Sequence, residues 1–201
     1  MVVIVVTGKV QAVGKSSLIM KIINNLQSGV GVIKSSIQIN LEASLVTDDP
    51  GVLMVPGTDT ARFMDSGVEK VVFLKSNYQD LAVSLRSAIN LVGDREYLII
   101  EENSVLDYLN PDLVIYLDRP EATAKPSAFK AQKKADLIID SEELYRALQE
   151  EDKIPFRLQA EKIPCIRAQL IAKTLGFSFG HLGKILDRQG IKISHCQWGI
   201  F

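Results

Sequence analysis

The chain has 201 residues, 47% apolar and 23% charged, enough for one ordinary domain with a sizeable core. Its formal net charge of −1 excludes a polycation that coats nucleic acid, yet residues 165–201 sum to +4 through Arg167, Lys173, Lys184, Arg188 and Lys192 against Asp187. Two cysteines make no disulfide framework, and the opening run MVVIVV is too short for a signal-peptide core or a membrane span, so the sequence reads as soluble and cytoplasmic.

Short β-branched runs alternate with helical patterns through the first 140 residues. Strands are predicted over Val2–Thr7, Val30–Lys34, Val52–Val55, Val71–Lys75, Tyr97–Glu101, Leu113–Leu117 and Leu137–Asp140. Most lack polar alternates, as strands buried on both faces do. Leu18, Ile19, Ile22, Ile23 and Leu26 form one helical stripe, and Leu81, Leu85, Ile89 and Val92 another. The pattern predicts an α/β three-layer domain with a mainly parallel sheet over 1–140. A charged stretch ending in Pro155 and Pro164 reads as a linker over 141–164, followed by a small helical module over 165–201.

Between the first strand and the first helix stands Gly8-Lys-Val-Gln-Ala-Val-Gly14-Lys15-Ser16-Ser17. Glycines let a backbone curl its N–H groups around an anion, and a helix N-terminus adds its dipole. A lysine brings mobile positive charge to the β/γ-phosphates, and a hydroxyl ligates Mg²⁺. Gly8, Val13, Gly14, Lys15, Ser16 and Ser17 are therefore assigned to phosphate, with Ser16 also on the metal. Five residues separate the glycines, where the common motif has four.

Thr7-Gly8 followed by Val13-Gly14-Lys15-Ser16 resembles the loop of dethiobiotin-synthetase-like enzymes, in the branch of P-loop NTPases that includes metallochaperone GTPases. The signature lysine of that branch falls five residues before Lys15, where this chain has Val10; Lys9 is one position off. Residues 55–76, VPGTDTARFMDSGVEKVVFLKS, resemble a segment of molybdopterin-guanine dinucleotide biosynthesis protein B (MobB-like proteins). Pro56, Gly57, Asp59, Thr60 and Arg62 match, and Ser66-Gly67-Val68 stands for Ala-Gly-Ala, while Thr58 replaces the family's lysine. The resemblance covers about residues 1–140 and implies a P-loop NTPase fold that binds Mg²⁺ with GTP or ATP. It also implies an aspartate near Asp48-Asp49 on the metal. Relatives in this branch often complete sites across a homodimer. Asp59 and Thr60 open a helix, where they either cap N–H groups or face Mg²⁺ and the γ-phosphate.

The strand Tyr97–Glu101 delivers Glu101 and Glu102 to the crevice at its C-terminal end. One of them is expected to hold Mg²⁺ or orient an attacking water, with Lys15 as the catalytic cation. The family strand ends in Glu-Gly, and Glu102-Asn103 departs from it. Lys125, Pro126 and Ser127 are placed to meet a base, without choosing between guanine and adenine.

In the tail, Ala172, Gly176 and Leu182 occupy the small, turn and apolar positions of a helix-turn-helix, with Ile171, Leu175 and Ile185 as core. Cys165, His181, His195 and Cys196 make a poor zinc set, because adjacent His195-Cys196 cannot easily chelate one ion. The ending IKISHCQWGIF reads as an apolar strand packed on the helical pair. The leading expectation is a Mg²⁺-dependent nucleoside-triphosphate binder and slow NTPase, accessory to maturation of a molybdopterin-type cofactor through a protein partner. The alternatives are a nucleotide-sensing DNA-binding regulator and a dethiobiotin-synthetase-like ligase or kinase.

Overall fold

The computed structural model describes residues 1–151 and 153–195. Strand β1 (Val2–Gly8) leads to helix α1 (Lys15–Leu26), β2 (Val30–Ile37) and β3 (Leu45–Thr47). Helices α2 (Pro50–Leu53) and α3 (Asp59–Asp65) precede β4 (Lys70–Ser76), α4 (Leu81–Val92) and β5 (Tyr97–Glu101). A 3-10 turn, Ser104–Asp107, leads to β6 (Leu113–Asp118), α5 (Pro126–Lys134), β7 (Leu137–Asp140) and α6 (Ser141–Gln149). The remainder comprises β8 (Arg157–Leu158), β9 (Lys162–Pro164), α7 (Cys165–Leu175), α8 (Phe179–Arg188) and β10 (Lys192–Ser194).

The fold is mixed α/β, as the sequence predicts. Its central sheet has eight strands in the order β3-β4-β2-β5-β1-β6-β7-β8. Strands β4 to β7 in that order pair in parallel, and only the edges β3 and β8 run antiparallel. Alternate residues feed opposite faces: Ile4 and Val6 enter one apolar cluster with α1, while Val5 enters the other with α4 and α5. Burial on both faces is why the central strands carry so few polar residues. The C-terminal ends of β1, β2 and β5 consequently share one edge, where the candidate site forms.

One predicted strand is corrected. Val52–Val55 overlaps helix α2 and the turn after it. Asp49 caps α2 by accepting from the Gly51 N–H at 2.8 Å, and Pro50 occupies the first helical position, which suits its fixed φ. A short apolar run does not by itself distinguish strand from helix. Edge strands β3 and β8 were too short to leave a periodic signal.

Residues 141–164, expected as a linker, carry α6, the sheet-edge strand β8 and β9. The cluster containing Ile4, Val6 and the α1 stripe also holds Leu144, Ala168, Ile171, Leu175, Leu182 and Leu186. Asn25 near the end of α1 donates to the Thr174 carbonyl at 3.0 Å. Of the expected terminal strand, β10 pairs with β9 in parallel, and residues 196–201, with Cys196 and Trp198, lie outside the described residues. Among the described residues no helix is long and apolar enough to cross a membrane.

Because Ile171 is wholly buried in the cluster it shares with β1, Ile171→Ala is expected to destabilise the entire chain by about 2–5 kcal/mol. Denaturant unfolding followed by circular dichroism should still show one transition; a separate early transition for the C-terminal helices would contradict that continuity.

Candidate functional site

The chain leaves β1 at Gly8 and enters α1 at Lys15 through a tightly curled loop. Ala12 and Gly14 both take left-handed backbone conformations, with φ of 55° and 94°. Gly8 has to be glycine for another reason: a Cβ there would meet the Val13 side chain at 2.6 Å. Val13 is buried in the core and so pins the loop to the body beneath it. Helix α1 starts on Gly14 without a side-chain cap, and its first turn borders a cavity of about 690 Å³. Uncapped first-turn N–H groups are donors available to an anion.

Two residues that the sequence reading passed over hold this arrangement together. Asn103 clamps Gly8 from both sides, its Oδ1 accepting from the Gly8 N–H at 2.9 Å and its Nδ2 donating to the Gly8 carbonyl at 2.9 Å. This explains the Glu-Asn ending of β5: the amide ties that strand to the loop. Lys34 sits within β2, beside Glu101 on β5, and donates to Glu101 Oε1 at 2.6 Å while its ammonium stands 2.9 Å from Asp59 Oδ2. Its one available signal was a charged residue inside the apolar run VGVIKSSI, next to the crevice edge.

Glu101 is the hub. Only 4% exposed, it accepts from Ser16 Oγ at 3.1 Å and from Lys34, and Lys15 Nζ stands 3.9 Å away. Ser35 Oγ donates to the Glu101 backbone carbonyl at 3.0 Å. Lys15 also reaches the Val10 carbonyl at 3.4 Å. Burial pushes the Lys15 ammonium below its ordinary value, and neighbouring Lys34 adds to this, while Glu101 opposes it. Burial also works against charge on Lys34 and Asp59, but their partners win. Glu101 holds Lys34 above its usual value, and the Lys34 ammonium, helped by Ser16 and Arg62, holds Asp59 below its own.

Of the residues singled out in the sequence, Gly8, Gly14, Lys15, Ser16, Ser17, Asp59, Arg62, Glu101 and Glu102 border this one cavity, as do Lys125 and Ser127. Glu102 and several of the remaining candidates make local bonds. Glu102 Oε1 accepts from the Ser104 N–H at 3.0 Å and caps the following turn. Thr60 donates to the Leu53 carbonyl at 2.8 Å, and the cap of α3 is Thr58, which accepts from the Ala61 N–H. Asp48 pairs with Lys70 and Asp49 caps α2; neither borders the cavity. His181 bonds to Lys153, and among the described residues no three His, Cys, Asp or Glu side chains group as a metal site.

No protein-family model matches the chain, and no curated protein matches it. Among the solved structures that resemble it in shape are the following three. HypB from Helicobacter pylori, in complex with nickel, is 13% identical with a TM-score of 0.40, covering 96% of this chain and 77% of its own. LpxK from Aquifex aeolicus, in complex with ATP, is 16% identical with a TM-score of 0.49, covering 100% and 74%. The MinC:MinD cell division protein complex of Aquifex aeolicus gives 18% identity and a TM-score of 0.35 over 96% and 79%. At these identities and scores the likenesses carry no functional argument.

Removing the Gly8 clamp by Asn103→Ala leaves a partly buried backbone N–H and carbonyl unpaired and should cost about 1–3 kcal/mol in denaturant unfolding. The lowered Asp59 value contributes stability that is present above the ordinary carboxylate value of 3.8 and lost as pH falls through the folded one. Asp59→Asn should therefore flatten the acid limb of the stability–pH curve; an unchanged limb would show that the Lys34 pair contributes nothing.

Proposed function

We propose that the chain binds a nucleoside triphosphate with Mg²⁺ at this cavity and hydrolyses it slowly. The observation that carries the reading is the uncapped start of α1, curled through Ala12 and Gly14, with the desolvated Lys15 ammonium beside it. A buried cation held below its ordinary value gains most from an anion that shares its dry surroundings. Triphosphate oxygens meet that demand.

The oxygen donors on this edge suit a hard cation. The Ser16 hydroxyl and the Glu101 carboxylate already converge at 3.1 Å, with Asp59 nearby on Lys34. Ser16 and Glu101 would hold Mg²⁺; when bound, the ion neutralises charge on β- and γ-phosphate oxygens. Lys15 and the first-turn amides stabilise the charge that builds on the γ-phosphate, and Lys34, which lines the same cavity, adds a second cation. Water attacks the phosphorus as the bond to the bridging oxygen breaks. Glu101 is engaged by Ser16 and Lys34, and Glu102 by the Ser104 N–H. Glu101 can meet a water only by giving up one of these bonds, which fits slow turnover.

The MobB-like segment supports a role in maturing a molybdopterin-type cofactor, through a protein partner. One observation favours a second reading. The cavity continues along the end of β2, by Ser36 and Ile37, to Tyr78, which leaves room for a small acceptor whose oxygen would take the γ-phosphoryl group in place of water.

Titration calorimetry with ATP and GTP, with and without Mg²⁺, tests the site. Wild type should bind in a metal-dependent manner, and Lys15→Ala should lose about 1.5–3 kcal/mol, or more than tenfold in affinity. Metal-independent binding that is the same in both proteins would remove the site from this cavity.

A further inference from the structure

The nucleotide reading makes no use of the C-terminal helices, and their geometry is specific. Helix α7 ends on Gly176 in the left-handed region, φ 75°, and α8 begins three residues later, capped by Ser178. A Cβ on Gly176 would meet the Asn25 side chain at 2.9 Å, so this turn needs glycine for both space and backbone. Ala172 and Leu182, on either side of the turn, are each 1% exposed. Two helices joined by a short glycine turn over a small and an apolar residue make a helix-turn-helix, the arrangement that presents its second helix to the major groove of DNA.

The outward face of α8 is unlike its inward one. Leu182 and Leu186 are buried, whereas Phe179, Gly180, Lys184, Asp187 and Arg188 are exposed, with Phe179 at 61%. Basic residues flank both ends of that face. At the start of α8 the Lys153 ammonium meets His181 Nδ1 at 2.8 Å, and the His181 ring stacks on Phe177 with centroids 5.5 Å apart. At its end Gln189 accepts from the Leu158 N–H at 3.1 Å and donates to the Phe156 carbonyl at 2.8 Å. Those bonds bring the strand that carries exposed Arg157 up to the helix terminus. Asp187 is the single acid within α8.

We propose that this pair of helices binds duplex DNA, with α8 in the major groove and Lys153, Arg157, Lys184 and Arg188 on backbone phosphates. A helix fits a groove about 12 Å wide. Lys153, Arg157, Lys184 and Arg188 outnumber Asp187 on and around α8, a balance that favours a polyanion there. The proposal stands apart from the triphosphate reading, since none of these four cations borders the phosphate cavity.

Fluorescence anisotropy of the full chain with a labelled mixed-sequence duplex tests it. Binding should weaken linearly in log affinity against log salt, and Lys184→Glu combined with Arg188→Glu should lower that slope by about two. Both positions are exposed, and calorimetric ATP or GTP titration of the double variant should match wild type. Lys15→Ala should keep its DNA binding, which separates failure of the two readings. No binding at micromolar wild-type protein would overturn the proposal, as would equal binding by the double variant. Equal competition by polyglutamate would also overturn it, in favour of an acidic protein partner.

Discussion

A carboxylate buried at the end of a strand has to be met by cations or donors, and Glu101 recruits them from two other elements. Ser16 comes from α1, Lys34 from β2, and Asp59 at the start of α3 closes the circuit through Lys34. Leaving such a charge without one of its partners costs several kcal/mol, so these elements are held in one relative position. The crevice at the sheet edge is thus defined by charge pairing as much as by strand register. Asn103, two residues further on, extends the same control to the loop by fixing Gly8.

That arrangement also carries a standing electrostatic cost. Lys15 is buried deeply enough for its charged form to be disfavoured, and Glu101 only partly relieves this because Lys34 competes for the same oxygen. Binding sites commonly keep such a locally unfavourable charge because the ligand removes it. Much the same holds for the first turn of α1, whose donors are presented without a protein cap.

What could be read from the sequence was whatever is local. The central strands declare themselves by unbroken β-branched runs, and the loop between β1 and α1 by its glycines in a strand–helix context. Glu101 followed from one rule, that a parallel strand ends in the crevice. Applied to β2, the same rule would have found Lys34, but a lone lysine in a run is ordinarily read as a strand end reaching solvent. Asn103 was visible only as a departure from a family pattern, because its partner is 95 residues away. Asp48, Asp49 and Thr60 are residue types suited to metal or phosphate, and their local bonds, an ion pair, a cap and a link between short helices, could not be read from residue type alone. The stretch over 141–164 was misleading because its charged composition hides an amphipathic helix and a two-residue edge strand.

Helix α1 joins the two halves of this molecule in a direct mechanical sense. Its first residue, Lys15, follows directly on the loop from β1, and Asn25, one residue from its other end, touches both the Thr174 carbonyl and the space above Gly176. Twelve helical residues span about 18 Å. With both ends in close-packed contact the helix has little slack, so it behaves as a connecting rod. The tilt that sets its N-terminus at the cavity is the same tilt that sets the angle of the turn between α7 and α8.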